Sequence, residues 1–209
     1  MSTLAGLTAA LDWIGLIVFA ATGALVASRK QMDVFGFALL ATATGIGGGT
    51  LRDVLLGQTP VAWVRNPAPL IACVVVAVLV FFTAHVLQSR MRLLLWLDAA
   101  GLALFAVTGA DLAMSAGAGT VASVVMGVVT ATFGGIIRDI LGGETPVILS
   151  REIYVTAALV AAGVFVGCRL AGLPGSTALI AGFMSGFVLR GAALHWGWSL
   201  PRYRERPGR

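Results

Sequence analysis

The stretch "GIGGGTLRDVLLGQTP" (residues 45–60) places three consecutive glycines, Gly47, Gly48 and Gly49, just before an adjacent Arg52-Asp53 pair. Its surroundings are almost wholly apolar, where glycines loosen a helix and ionisable side chains are costly to keep. Residues 131–146, "ATFGGIIRDILGGETP", repeat the arrangement. There Gly134, Gly135, Arg138 and Asp139 stand where Gly48, Gly49, Arg52 and Asp53 stood.

The recurrence extends outward without a gap. With a shift of 86 residues, "LDWIGLIVFAATGAL" (11–25) meets "LDAAGLALFAVTGAD" (97–111), and about 21 of the 55 positions in 11–65 are identical. Two unrelated apolar helices share Leu, Ala and Val by chance. They do not share Asp, Arg, Thr, Gly and Pro in register. Internal duplication therefore organises the chain. The retained residues Asp12, Gly15, Leu16, Phe19, Thr22 and Gly23 recur as Asp98, Gly101, Leu102, Phe105, Thr108 and Gly109, in steps of three and four that mark one helical face. In the next segment Thr44, Gly48 and Arg52 stand four apart, as do Thr130, Gly134 and Arg138.

Composition sets the solvent. Only 11% of the residues are charged and 58% are hydrophobic, with mean hydropathy +0.96, whereas a soluble domain carries about 25% charge. Spans of about 20 apolar residues fit at 8–27, 34–56, 68–88, 94–113, 119–142, 153–171 and 175–193. The first lacks a basic leader and a cleavage signature, so no removable signal peptide is expected. Three spans per repeat is an odd number, so the second copy must enter the membrane from the opposite side. The expected fold is an all-α integral membrane protein of seven transmembrane helices: two inverted three-helix repeats (8–90 and 94–172), a seventh helix (175–193) and a basic tail (194–209). Inverted repeats suit transport, with the site near mid-membrane where the repeats meet.

Basic residues orient the spans. Arg29, Lys30, Arg90, Arg92, Arg151 and the tail arginines Arg202, Arg204, Arg206 and Arg209 share one side if the N-terminus lies outside and the C-terminus in the cytoplasm. The pI near 10.2 then reflects anchoring at anionic headgroups of a bacterial inner membrane. No basic stripe interleaved with aromatics indicates nucleic-acid binding.

Two readings of the glycines stand side by side. Small residues let membrane helices pack closely; adjacent glycines also break helices, and carbonyls freed at a break attract cations. The expectation favours a break at Gly48-Gly49 and at Gly134-Gly135. Arg52, Asp53, Arg138 and Asp139 either snorkel to the interface or face the bundle interior. We expect the two arginines to pair with carboxylates of the opposite repeat, with Asp12 and Asp98 as further partners. "GQTP" and "GGETP" close each second span with a left-handed glycine cap and a proline stop, and Glu144 is a candidate vestibule charge. Cys73 and Cys168 fall inside spans and suit packing, while His85 and His195 lie near span ends.

These paired motifs, "GGGTLRD" and "FGGIIRD", with the duplicated three-span repeats and the unpaired seventh span, resemble a prokaryotic trimeric intracellular cation (TRIC) channel over about residues 8–195. The resemblance implies a homotrimer with one pore per protomer for monovalent cations, chiefly K+, around second and fifth helices kinked at Gly47, Gly48, Gly49, Gly134 and Gly135. Phe133 replaces the first glycine of the second run, so the two kinks need not match. The animal members' Lys-Glu-Val motif has no counterpart. The same pattern is also associated with glycine transport.

The expected function is thus a K+-permeable channel, its pathway formed by Thr44, Thr130, the glycines and the Arg-Asp pairs. Without a TVGYG filter, selectivity among monovalent cations should be weak. The rival is a secondary transporter of a small solute such as glycine. Neither a Ser/His/Asp set nor HExxH is present, so no enzyme, metal or cofactor is expected beyond K+ or Na+ as permeant ion.

Overall fold

The computed structural model describes residues 2–86, 90–150 and 152–201. Seven helices carry the architecture: α1 (Ser2–Arg29), α2 (Val34–Leu55), α3 (Ala68–Thr83), α4 (Arg90–Ser115), α5 (Thr120–Leu141), α6 (Val155–Leu170) and α7 (Gly175–Trp196). α1, α2, α4, α5 and α7 are long and apolar enough to cross a membrane. α3 and α6 have 16 residues each, about 24 Å of helix against a hydrocarbon core of about 30 Å. They are the third helices of their repeats, so the shortening is itself duplicated. α3 stops short of the expected end at residue 88. Arg151 and the tail arginines Arg202, Arg204, Arg206 and Arg209 lie outside the described residues.

Local chemistry explains where α2 and α5 stop. Asp33 caps α2 by accepting the Gly36 N–H at 2.8 Å. At the other end Gly57 sits at φ +67°, and Gly143 closes α5 at φ +65°. In both, the third residue past the helix reaches back, Gln58 N–H to the Asp53 carbonyl and Glu144 N–H to the Asp139 carbonyl, each at 2.8 Å. This is the six-to-one bond of a Schellman cap, and it is the left-handed closure expected from "GQTP" and "GGETP".

The repeats interlock about a central contact. Phe19 of α1 meets Phe105 of α4 edge to face at 5.1 Å. Each ring also packs on the other repeat's glycine, Phe19 over Gly101 and Phe105 over Gly15. α1 and α4 are antiparallel, since Thr8 near the start of α1 bonds Asp111 near the end of α4. α2 crosses α5 in the same inverted sense: a Cβ placed on Gly48 would collide with the Thr130 carbonyl oxygen, and one on Gly134 with that of Thr44.

That crossing corrects the expected helix break. α2 and α5 run without interruption through Gly47–Gly49 and Gly134–Gly135. The glycines serve backbone-to-backbone approach, the close-packing alternative. An unbroken helix also keeps its backbone groups paired internally at membrane depth. One layer out, Gly23 packs on the Leu40 carbonyl and the Thr44 hydroxyl, and Gly109 on the Thr130 side chain. Cys73 is buried against Gly45, as a packing residue would be. His85 and His195 are exposed at helix ends.

Candidate functional site

The two Arg-Asp dipeptides sit at opposite ends of the interior, each built by the same device. Arg52 Nε and Nη2 donate to Asp53 Oδ1 at 3.0 and 2.8 Å. Asp53 Oδ2 accepts the Ala62 N–H at 3.0 Å, tying the following loop to α2. At the other end Arg138 Nε donates to Asp139 Oδ1 at 2.9 Å, and Asp139 Oδ2 accepts the Val147 N–H at 3.0 Å. Each aspartate therefore orients its neighbouring guanidinium and pins a loop at once.

The second carboxylate at each end corrects the expected pairing. Arg52 faces Asp12 and Arg138 faces Asp98, so each arginine is neutralised within its own repeat. α1 and α2 of one repeat pack directly on each other, as do α4 and α5 of the other, which brings these partners within reach. The link between repeats is made by threonines instead. Thr108 donates to Asp12 Oδ1 at 3.2 Å, and Arg138 Nη1 donates to Thr22 Oγ1 at 3.2 Å. Thr22 and Thr108 are equivalent residues.

The two ends are equivalent in sequence and unequal in state. Arg138 and Asp98 meet at 2.5 Å with both side chains 2% exposed. Arg52 Nη1 stands 3.7 Å from Asp12, whose side chain is 33% exposed, and it has no hydrogen-bond partner. A cavity of about 390 Å³ opens over this end, bordered by Thr8, Asp12, Arg52, Asp53, Arg65 and Asp111. Behind Arg52 a narrower space of about 60 Å³ continues past Gly45, Ile46, Gly49 and Thr50 to Phe105. Three carboxylates and two guanidiniums thus border an entrance whose carboxylate excess favours cations.

The remaining expected residues fall elsewhere. Thr44 and Thr130 are buried and donate to their own helices, to the Leu40 and Met126 carbonyls. With Gly48 and Gly134 they form the α2–α5 crossing. Gly47 faces Ile137, and Gly135 faces the Tyr154 hydroxyl. Glu144 is held by Arg29 at 3.3 Å and Lys30 at 3.4 Å, which spends its charge on the α1–α2 turn rather than on an open vestibule.

Sequence reasoning missed four residues. Asp111 is buried and accepts from Thr8 at 2.7 Å. Its counterpart under the 86-residue shift is Leu25, and that departure was the available signal. Arg65 borders the entrance. Tyr154 and Arg190, both 1% exposed, lie beside the Arg138 end; Arg190 has no repeat partner from which it could have been inferred.

A family model described as Glycine transporter matches residues 9–85 and 95–169, one segment per repeat. The chain is 60% identical to the TRIC trimeric intracellular cation channel orthologue from Rhodobacter sphaeroides, with TM-score 0.90, covering 92% of this chain and 99% of that one. A second TRIC cation channel structure, studied for conductance, matches at 36% identity and TM-score 0.83 over 95% and 98% of the two chains. The inner membrane protein YadS of Escherichia coli K12 is 39% identical over 198 residues, 92% of this chain and 94% of YadS.

Proposed function

The chain belongs to the membrane-protein family whose model is described as Glycine transporter and whose solved relatives are TRIC cation channels; from that premise we propose that it is a K+-permeable channel with one ion path inside each protomer. The observation that carries this reading is the pair of symmetry-related Arg-carboxylate clusters at opposite ends of one interior, one beneath an open acidic entrance and the other sealed.

On this reading a cation enters the cavity at the end where α1 begins, attracted by Asp12 and Asp111. It passes Arg52, whose guanidinium Asp53 holds aside, and reaches the narrow space beside Gly49 and Thr50. Continuing requires Arg138 to part from Asp98 and Thr22, so this state is closed at one end. Buried fixed charges act strongly here because the surrounding dielectric is low. With no ring of filter carbonyls in the helical crossing, discrimination between K+ and Na+ is weak.

We further propose a homotrimer in a bacterial inner membrane, with the N-terminus outside. The trimer is supported by the description of the 60%-identical channel, and the orientation by the positions of Arg29, Lys30 and Arg92 in the sequence together with its basic C-terminal residues. The same residues suit anionic lipid headgroups.

Proteoliposomes test the reading: K+-dependent collapse of an imposed potential, unsaturated as KCl rises and indifferent to glycine, supports a channel. A second reading, a small-solute carrier, is favoured by one observation, that equivalent ends differ in openness as alternating access requires. Saturable glycine counterflow without K+ conductance would replace the first reading by the second.

A further inference from the structure

Resting on the channel reading, we infer that Tyr154 is the lid over the Arg138 end of the ion path and that Arg190 of α7 is the positioning residue that holds it shut.

Two equivalent glycines differ in what covers them. Gly49 and Gly135 occupy the same register, and a Cβ on either would lie near its own arginine, 3.6 Å from Arg52 Nη2 and 3.7 Å from Arg138 Nη2. Only Gly135 has something above it: the Tyr154 hydroxyl oxygen would stand 2.6 Å from that Cβ. The residue equivalent to Tyr154 is Ala68, which leaves the Arg52 end uncovered. At the closed end, then, an aromatic side chain stands where the first repeat has only a methyl group.

Tyr154 does not hold itself there. Its hydroxyl is buried without a hydrogen-bond partner, so no polar contact fixes the tip. The ring is gripped from the other side, where the Arg190 guanidinium lies 5.3 Å from its centroid, a cation–π distance. Arg190 Nη2 also donates to Glu152 Oε2 at 2.5 Å. Glu152 in turn forms a backbone bridge with Ser199, just beyond α7, and its carbonyl accepts the Tyr154 N–H at 2.8 Å. The loop between α5 and α6 is therefore fastened at its start by Asp139 and at its end by α7. A buried arginine is expensive to keep in a membrane helix, and Glu152 has the uncharged counterpart Asn66 in the first repeat. Both charges occur only where the lid is. The seventh helix, which lies outside the duplication, thereby sets which of two equivalent ends is shut.

Single-channel recording in symmetric KCl, on variants checked for monodispersity, tests this. Tyr154→Ala should raise open probability about tenfold, the amount a lost contact of about 1.4 kcal/mol produces. Glu152→Gln, at a side chain 42% exposed and so tolerant of change, should raise it less. Arg190→Lys should fall between wild type and Tyr154→Ala, because an ammonium keeps charge but loses the planar fork. Unitary conductance should be unchanged throughout, which a general loosening of the protein would not leave untouched. Unaltered open probability, or a changed conductance with unaltered gating, overturns the inference. So does loss of folded protein in all three variants, which would make the cluster a folding element. A wild-type protein that passes no current defeats the channel reading instead.

Discussion

Arg138 donates to Asp98 at 2.5 Å with both side chains 2% exposed, while the equivalent Arg52 and Asp12 stand 3.7 Å apart beneath an open cavity. The same residues, written twice, are thus found once as a sealed pair and once as a loose one. Breaking the sealed pair on one side leaves an uncompensated buried charge, whereas at the other end Asp12 is 33% exposed, so water partly screens the change. Asp98→Asn should cost about 3 kcal/mol or more and lower the unfolding midpoint in detergent clearly. Asp12→Asn should cost less than about 1 kcal/mol. Equal shifts for the two variants would deny the difference between the ends.

The helix glycines include some that meet backbone and some that meet nothing. Gly48→Ala and Gly134→Ala each push a methyl into a carbonyl across the α2–α5 crossing and should destabilise by about 1–3 kcal/mol. Gly163, in α6, has open space around it. Gly163→Ala should be neutral or stabilise by up to about 1 kcal/mol. Thermal midpoints of the three purified variants check the contrast, and an inert Gly48→Ala would reject the crossing.

How far the sequence could be read depends on whether a feature was duplicated. The matched Asp, Gly, Thr and Arg positions revealed the inverted repeats, the helix order and the capping glycines Gly57 and Gly143. They could not reveal that Arg52 and Arg138 pair within a repeat, because periodicity places residues on faces without saying which neighbour they meet. The break expected at Gly48 and Gly134 failed for a similar reason: a glycine run permits both a kink and a close crossing, and only the opposing Thr130 and Thr44 carbonyls choose between them. Tyr154 and Arg190 lay beyond reach because neither has a like residue in the other repeat, while Asp111 was signalled only by its departure from Leu25.

Asp111 occupies a position that is Leu in the other repeat, and it faces the entrance. Asp111→Asn should lower the preference for K+ over Cl−, read as a smaller reversal potential in a KCl gradient. The effect should be largest near 0.1 M salt and fade towards 1 M, as the screening length falls from about 10 Å to about 3 Å. A reversal potential equal to wild type at low salt would remove Asp111 from the entrance field.

The left-handed caps give a cleaner test of local structure. A Cβ at Gly57 would meet nothing within 4 Å, so Gly57→Ala costs only the backbone conformation, about 1–2 kcal/mol. Gly143→Ala should cost the same, since its surroundings are equally open. A midpoint shift in one variant but not the other would show that the two Schellman caps are not equivalent.

Conduction itself is tested most directly by planar-bilayer recording of the purified wild-type protein in asymmetric KCl. Discrete current steps reversing near the K+ equilibrium potential are the predicted result. A silent bilayer, with saturable glycine uptake by the same preparation in liposomes, would contradict the channel and make the protein a carrier.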